Sequence, residues 1–122
     1  MTTEDLYRLF LRHPDVTTDS RRVASGGLFF ALKGERFDGN AFARQALRDG
    51  CAYAIVDDPA LGGDARLLHV DSALDALQGL ARMHRERLRT PIIGITGTNG
   101  KTTTKELVAA VLDRGLRTLC TE

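Results

Sequence analysis

The chain has 122 residues, of which 43% are hydrophobic and 27% are charged, and its formal net charge is +1. This length and balance are typical of a globular protein with a real core rather than a disordered segment. The near-neutral charge gives no electrostatic footprint for nucleic acid or an anionic membrane surface. No apolar run approaches the roughly 20 residues that span a bilayer, and the acidic N-terminus does not resemble a signal peptide. Two distant cysteines, Cys51 and Cys120, fit a reduced, cytoplasmic chain.

Helices and strands are predicted to alternate along the chain, which favours an α/β architecture. The first helix covers residues 3–12, capped by Thr2 or Thr3 and stopped by His13-Pro14. The next elements are strands at 16–18 and 28–32, a helix at 40–49, strands at 52–56 and 67–70, and a helix at 72–88. Ser72 and Asp75 form a start for that last helix that resembles a capping box. We expect the buried side of that last helix to contain Leu74, Leu77, Leu80, Ala81, His84 and Leu88.

A domain boundary is predicted at residues 89–91, where Pro91 breaks the chain. Residues 1–89 then form a small α/β domain. Residues 90–122 contain a strand at 92–96, a helix at 101–113 and the start of a strand at 117–120. A phosphate-binding fold needs more parallel strands than that to bury its first strand. We therefore expect the chain to be truncated inside its second domain.

The segment Gly97-Thr98-Asn99-Gly100-Lys101-Thr102 has the pattern of a phosphate-binding loop between a strand and a helix. Its glycines permit a tight turn, so that the following amides and the helix N-terminus can face phosphate oxygens. Lys101 would neutralise the β and γ phosphates of ATP, and the Thr102 hydroxyl would bind Mg²⁺. The predicted nucleotide-binding residues are Gly97, Thr98, Asn99, Gly100, Lys101, Thr102 and Thr103, with Lys101 and Thr102 catalytic.

This loop is shorter than the full pattern, because Ile95 stands where the first glycine is expected. The alternative interpretation is a glycine-rich turn between a strand and a helix, with a surface lysine. The flanking apolar strand and amphipathic helix favour the phosphate-binding interpretation.

The loop and its continuation, residues 94–107, resemble the ATP-binding loop of the Mur ligases, the peptidoglycan-precursor enzymes. That family commonly carries the shortened loop. Three upstream segments, 18–21, 26–34 and 37–40, resemble its UDP-binding N-terminal domain in order and spacing. Two departures are Asn40, where histidine is common, and Ser25, where proline often stands.

The resemblance implies an ATP- and Mg²⁺-dependent ligase that forms an amide bond through an acyl phosphate. Lys105-Glu106 and residues 32–39 are similar to members that add D-alanyl-D-alanine to a UDP-N-acetylmuramoyl-peptide. A branch that adds the third peptide residue is the alternative within the family. The base and second metal ligands would lie beyond Glu122, so we expect this chain alone to be inactive. No feature fixes an oligomeric state, and a monomer is the expectation.

The same resemblance implies that the UDP-linked substrate is bound by Asp19, Ser20, Arg21, Lys33 and Asn40. From the residues themselves, a hydrogen-bonded turn is the favoured interpretation of 19–21. Lys33 is then a solvated loop charge, and Asp38 or Asn40 caps the following helix. Two other classes stay open. A small phosphate-loop kinase or GTPase is disfavoured, because about 90 residues precede the loop. A non-catalytic nucleotide-binding module would need the first domain alone.

Overall fold

A computed structural model describes all 122 residues and contains two compact units, Met1–Leu88 and Arg89–Glu122. The elements of the first unit are α1 (Thr3–Arg12), β1 (Val16–Thr17), β2 (Leu28–Phe30), a 3₁₀ turn (Gly39–Phe42), α2 (Ala43–Arg48), β3 (Tyr53–Val56), β4 (Leu67–His69) and α3 (Ala73–Arg87). The second unit contains α4 (Lys101–Leu112). None of these helices is long and apolar enough to cross a membrane.

The four strands form one parallel sheet in the order β1-β2-β3-β4. The predicted α/β class is therefore confirmed, with a parallel sheet in the first unit. Because all strands run the same way, the loops that follow them emerge at one edge of the sheet. We call this the carboxyl edge.

Helices cover both faces of the sheet, so the central strands are apolar on both sides. Phe29, Ala54 and Val56 pack with α2 on one face. Leu28, Phe30 and Ile55 pack with α1 and α3 on the other face. This two-sided burial explains the continuous apolar sequence of residues 28–32. Cys51 is buried in the α2 cluster and Cys120 is exposed, and both thiols are free.

The predicted helix caps form as expected at both long helices of the first unit. The Thr2 hydroxyl accepts the N–H of Asp5 at 3.1 Å in a reciprocal capping box. The Ser72 hydroxyl accepts the N–H of Asp75 at 3.2 Å and starts α3. Each cap satisfies a backbone donor that lacks a helical partner, which fixes where the helix begins.

The predicted buried side of α3 was partly wrong. Leu74 and Leu88 are 49% and 41% exposed, and Ala81 is exposed as well. The packed side contains Ala73, Ala76, Leu77, Leu80 and Met83. Apolar residues lie on two sides of this helix, and its contacts with α1 and β2 select one of them. Periodicity alone does not reveal which of the two sides of the helix is buried.

The two strands predicted after residue 90 do not form. Residues 92–96 and 117–120 are not paired into a strand, and Ile92 and Ile93 are 60% and 62% exposed. The helix α4 has no buried residue. A strand needs a neighbouring strand for its backbone hydrogen bonds, and residues 89–122 contain none.

Candidate functional site

Polar residues follow each strand at the carboxyl edge of the first unit. Asp19–Arg22 follow β1, Lys33–Asn40 follow β2, and Asp57–Asp58 follow β3. Ligands of open parallel sheets bind outside this edge. The predicted substrate-binding residues therefore lie in two loops, which follow the neighbouring strands β1 and β2 at the carboxyl edge.

Asp19 and Arg21 form a closed turn. The Asp19 carboxylate accepts the backbone N–H of Arg21 at 3.0 Å and its Nε and Nη2 groups at 2.9 Å each. These side-chain bonds lower the pKa of Asp19 to about 2. Arg21 remains 87% exposed, and Ser20 is half-buried between the two. The turn fixes the guanidinium while leaving its Nη1 group for a ligand.

Asn40 lies at the centre of a buried hydrogen-bond network, with only 2% of its surface exposed. Its Nδ2 group donates to Asp38 Oδ1 and Asp57 Oδ1, at 2.8 Å each. Its Oδ1 atom accepts the backbone N–H of Asp57 at 3.1 Å. Both amide hydrogens are thus engaged inside the protein. As placed, Asn40 supports the loops around it, and its contact with a substrate stays a prediction.

Asp57 extends that network to α3 and to Lys33. Its Oδ2 atom accepts the N–H of Ala73, the first residue of α3, at 3.0 Å. Its Oδ1 atom lies 3.2 Å from Lys33 Nζ. Burial disfavours the Asp57 carboxylate, but the donors from Ala73, Asn40 and Lys33 outweigh it and lower its pKa. The hydrogen bond to Asp57 in turn raises the pKa of Lys33, which stays charged and 53% exposed.

Gly39 is required where the chain passes against β2. A Cβ atom there would lie 2.6 Å from Leu32 O and 2.7 Å from Leu32 N. Both are backbone atoms that cannot move aside cheaply. The N–H of Gly39 donates to Leu32 O at 2.8 Å. The Asp-Gly-Asn sequence thus combines a cap, a close approach and a buried amide in three consecutive residues.

Asp57 and Asp38 were not among the predicted site residues. Asp57 is visible in the sequence only as the polar residue that ends an apolar strand. Its partner Asn40 stands 17 residues earlier, on a neighbouring loop. A polar residue directly after a buried parallel strand is the one signal that points to such a position.

The predicted phosphate loop has a free helix N-terminus in the second unit. Gly100 caps α4 in the left-handed conformation, with φ at +74°, and makes no side-chain cap. The first helical bond runs from Thr104 N to Gly100 O at 2.9 Å. The amides of Lys101, Thr102 and Thr103 therefore have no helical acceptor. The side chains of Lys101, Thr102 and Thr103 are exposed, and so are residues 97–100. The loop and the start of α4 are thus accessible to an anion.

One cavity of the first unit contains none of the predicted site residues. It has a volume of about 320 Å³ and lies between the N-termini of α1 and α3. Its lining includes the capping residues Thr2 and Ser72, whose hydroxyls are engaged in the caps.

Two sequence families match consecutive parts of the chain. The family described as "Mur ligase family, catalytic domain" matches residues 15–85, and "Mur ligase middle domain" matches residues 95–122. The first of these alone spans more than half of the chain. The order of the two matches follows the order of the two units.

Individual relatives are similar over most of the chain. A Synechocystis UDP-N-acetylmuramoyl-tripeptide–D-alanyl-D-alanine ligase is 46% identical over 85% of the chain and 23% of its own length. An Aquifex aeolicus UDP-N-acetylmuramoyl-L-alanyl-D-glutamate–2,6-diaminopimelate ligase is 40% identical over 88% of the chain and 23% of its own length. The structure of Thermotoga maritima MurF ligase in complex with ADP matches with a TM-score of 0.73 and 36% identity, over 87% of the chain and 24% of that structure. The chain thus spans about a quarter of the length of these relatives.

Proposed function

Because the chain belongs to the Mur ligase family, we propose that it is the front portion of an ATP-dependent ligase that adds D-alanyl-D-alanine to a UDP-N-acetylmuramoyl-tripeptide. The match of two Mur ligase families in consecutive order carries this proposal. Residues 1–89 are proposed to bind the UDP-linked substrate, and residues 90–122 to open the central ATP-binding domain. The enzyme would work in the cytoplasm of a bacterium, as a monomer.

The first unit offers positive groups for the diphosphate of that substrate. Arg21 is held by Asp19 and keeps its outer guanidinium nitrogen unused. An arginine fixed in this way binds phosphate oxygens with little loss of side-chain entropy. Lys33 is the second candidate, and like Arg21 it is paired with a carboxylate, with its Nζ atom 3.2 Å from Asp57 Oδ1. Asn40 contributes by holding Asp57 and Asp38 in place.

The second unit offers the groups that would hold ATP and Mg²⁺. The unsatisfied amides at the start of α4 and the exposed ammonium of Lys101 fit the β and γ phosphates. The exposed hydroxyl of Thr102 fits the first ligand of Mg²⁺. Bound Mg²⁺ supplies charge neutralisation on the phosphates.

The proposed reaction has two steps. A carboxylate oxygen of the UDP-linked peptide attacks the γ phosphorus of ATP, the bond to the bridging oxygen breaks, and ADP leaves. The amine of D-alanyl-D-alanine then attacks the carbonyl carbon of the acyl phosphate, loses a proton and expels inorganic phosphate. Lys101 offsets the negative charge that moves during the first step, which makes positioning and electrostatics the main contributions of this chain.

A second candidate is the ligase that adds the third peptide residue. The Aquifex aeolicus relative of that type is 40% identical to the chain, against 46% for the Synechocystis relative. The difference in identity favours D-alanyl-D-alanine as the added group. The remaining alternative is a non-catalytic UDP-binding module, which would use the first unit alone and would not need ATP.

Calorimetric titration of the 122-residue chain with UDP and with Mg-ATP tests the proposal. We expect UDP to bind, and the Arg21→Ala variant to bind it about tenfold more weakly, a loss typical of one charge-assisted contact. Arg66→Ala is the matched control, because Arg66 makes the same three bonds to Asp64 in a turn before β4. Lys101→Ala should leave UDP binding unchanged. Failure to bind both UDP and Mg-ATP would contradict the proposal, and UDP binding alone would favour the module.

A further inference from the structure

Two exposed leucines lie at the C-terminal ends of α1 and α3, and each follows an exposed arginine at the same spacing. Leu11 is 59% exposed and stands three residues after Arg8. Leu88 is 41% exposed and stands three residues after Arg85. Residues three apart lie on one side of a helix, so each leucine is a neighbour of its arginine. None of the roles proposed above uses these side chains.

The two helices run in the same direction, so these ends lie side by side. Near the start of α1, Thr3 Cγ2 would be 3.5 Å from a Cβ atom placed on Gly79. Further along both helices, the Tyr7 hydroxyl lies 3.4 Å from His84 Nδ1, and the rings of Phe10 and His84 are 4.9 Å apart. Both helices cover the same face of the sheet, so their exposed sides point away from it together.

This end of the helix layer is strongly basic, although the net charge of the whole chain is only +1. Residues 8–12 and 81–88 contain five arginines and one carboxylate, that of Glu86. The near-neutral total therefore conceals a separation of charge within the first unit. The exposed arginines of these segments that form no ion pair are Arg12, Arg82 and Arg85.

The helix dipole accounts for only part of this charge. Arg12 and Arg85 stand in the last turns of their helices, where a cation offsets the partial negative charge of the helix end. Arg8 and Arg82 stand outside those last turns. Arg8 has one carboxylate partner, Glu4, at 3.8 Å, and Arg82 has none. The concentration of arginine thus exceeds what the two helices need, and it favours an anionic partner.

We infer that this surface, which we call the arginine face, docks onto an anionic phospholipid surface. The face consists of Arg8, Leu11, Arg12, Arg82, Arg85 and Leu88. Guanidinium groups pair with the phosphate oxygens of lipid headgroups, and leucines beside them enter the boundary of the acyl chains. Arginines near an anionic membrane each strengthen the attraction, and salt screens it within a Debye length.

Two other anionic partners fit the arginine face less well. Protein interfaces are usually centred on aromatic, methionine or arginine anchors packed in apolar pockets. Single-stranded nucleic acid stacks its bases on aromatic side chains, and a phosphate backbone offers a leucine no apolar contact. The large hydrophobic residues exposed on α1 and α3 are all leucines, namely Leu11, Leu74 and Leu88.

Co-sedimentation of the 122-residue chain with lipid vesicles tests the inference. Vesicles of phosphatidylglycerol and phosphatidylcholine in equal parts should bind the chain at about 0.05 M salt, and about tenfold more weakly or less at about 0.5 M salt. Vesicles of phosphatidylcholine alone should not bind it. The double variant Arg82→Gln/Arg85→Gln should bind the anionic vesicles at least about tenfold more weakly, since each arginine contributes about fivefold.

The matched control is the double variant Arg44→Gln/Arg48→Gln. It removes the same charge from exposed positions of α2, which covers the opposite face of the sheet. The control should bind anionic vesicles as the natural chain does. All four substituted side chains are exposed, so both double variants should keep the thermal midpoint of the natural chain within a few degrees.

A third variant separates lipid from other anions. Leu11→Ala should weaken vesicle binding about fivefold, because part of the apolar side chain that enters the lipid is removed. Absence of binding to anionic vesicles at low salt, or equal losses in the two double variants, would overturn the inference. Binding of a DNA duplex or a polyglutamate peptide through Arg82 and Arg85, with vesicle binding unaffected by Leu11→Ala, would overturn it in favour of a nucleic acid or an acidic protein. The proposed function is tested separately, by titration with UDP and Mg-ATP.

Discussion

Asn40 and Asp57 exchange two hydrogen bonds across neighbouring loops, from Asn40 Nδ2 to Asp57 Oδ1 at 2.8 Å and from Asp57 N to Asn40 Oδ1 at 3.1 Å. This pair joins the loop after β2 to the end of β3. Asp57 also accepts the N–H of Ala73 in the first turn of α3, so the same network reaches that helix. The carboxyl edge of the sheet is therefore held by buried polar contacts as well as by packing.

The Asn40→Ala variant should be less stable by about 2–4 kcal/mol, because it leaves buried partners of three side-chain hydrogen bonds unsatisfied. Chemical denaturation of the 122-residue chain measures the change in free energy of unfolding. Asn99→Ala, at an exposed position of the other unit, should change stability by less than about 0.5 kcal/mol. Equal stabilities of the two variants would contradict the structural role of Asn40.

Gly39→Ala should destabilise the first unit by about 3 kcal/mol or more, since its Cβ would meet backbone atoms of Leu32. The matched control is Gly62→Ala, where an added Cβ has open space and no positive φ is present. Thermal unfolding of both variants is the measurement. We expect the control to unfold within a few degrees of the natural chain. A Gly39→Ala variant as stable as the control would refute the close approach.

Stability should depend on pH through Asp57. The folded state lowers the pKa of this carboxyl, so its contribution is present above the pKa of the unfolded chain, about 3.9, and is lost as pH falls toward the folded value. The difference in free energy of unfolding between the natural chain and Asp57→Asn should thus be constant above about pH 5 and shrink below about pH 4. Denaturation curves from pH 3 to 7 measure it.

Asp64→Asn is the control for that pH dependence. Asp64 also has a lowered pKa, of about 2, but bonds only with Arg66 in an exposed turn. Solvent screening makes such pairs contribute little, so its pH-dependent difference should be smaller. A difference for Asp57→Asn that stays the same across the whole range would show that the charge of Asp57 does not contribute.

A chain cut after Leu88 should fold by itself. The first unit contains every residue of both core clusters, whereas α4 has no buried residue. We expect residues 1–88 to unfold within about 2–4 °C of the full chain, a shift that corresponds to less than about 1 kcal/mol. Circular dichroism during heating provides the midpoint. A cooperative transition that disappears on truncation would contradict this expectation.

The sequence predicts the first unit well because its signals are local. The apolar run at residues 28–32 and the caps at Thr2 and Ser72 each depend on neighbours within a few positions, and all three are confirmed. The strand predicted at residues 92–96 failed for the opposite reason. A strand depends on hydrogen bonds from another strand, and the second unit offers none.

The roles of individual polar residues were harder to predict from sequence. Asn40 is a polar residue in a loop pattern, and its burial depends on Asp57, which lies 17 residues away and is brought close by the parallel pairing of β2 and β3. The rotation of α3 depends likewise on contacts with α1 and β2. Both features depend on packing between residues far apart in the sequence, which the periodicity of the sequence does not reveal.

The central claim is that this chain is the front portion of a ligase that adds D-alanyl-D-alanine. Its most direct test is a fusion in which the chain replaces the matching quarter of the Synechocystis relative, with ATP-dependent amide formation from D-alanyl-D-alanine as the measurement. We predict an active fusion whose rate falls about a hundredfold or more in Lys101→Ala, a loss typical of a group that stabilises transferred charge. A folded fusion without activity, or one unaffected by Lys101→Ala, would contradict the account.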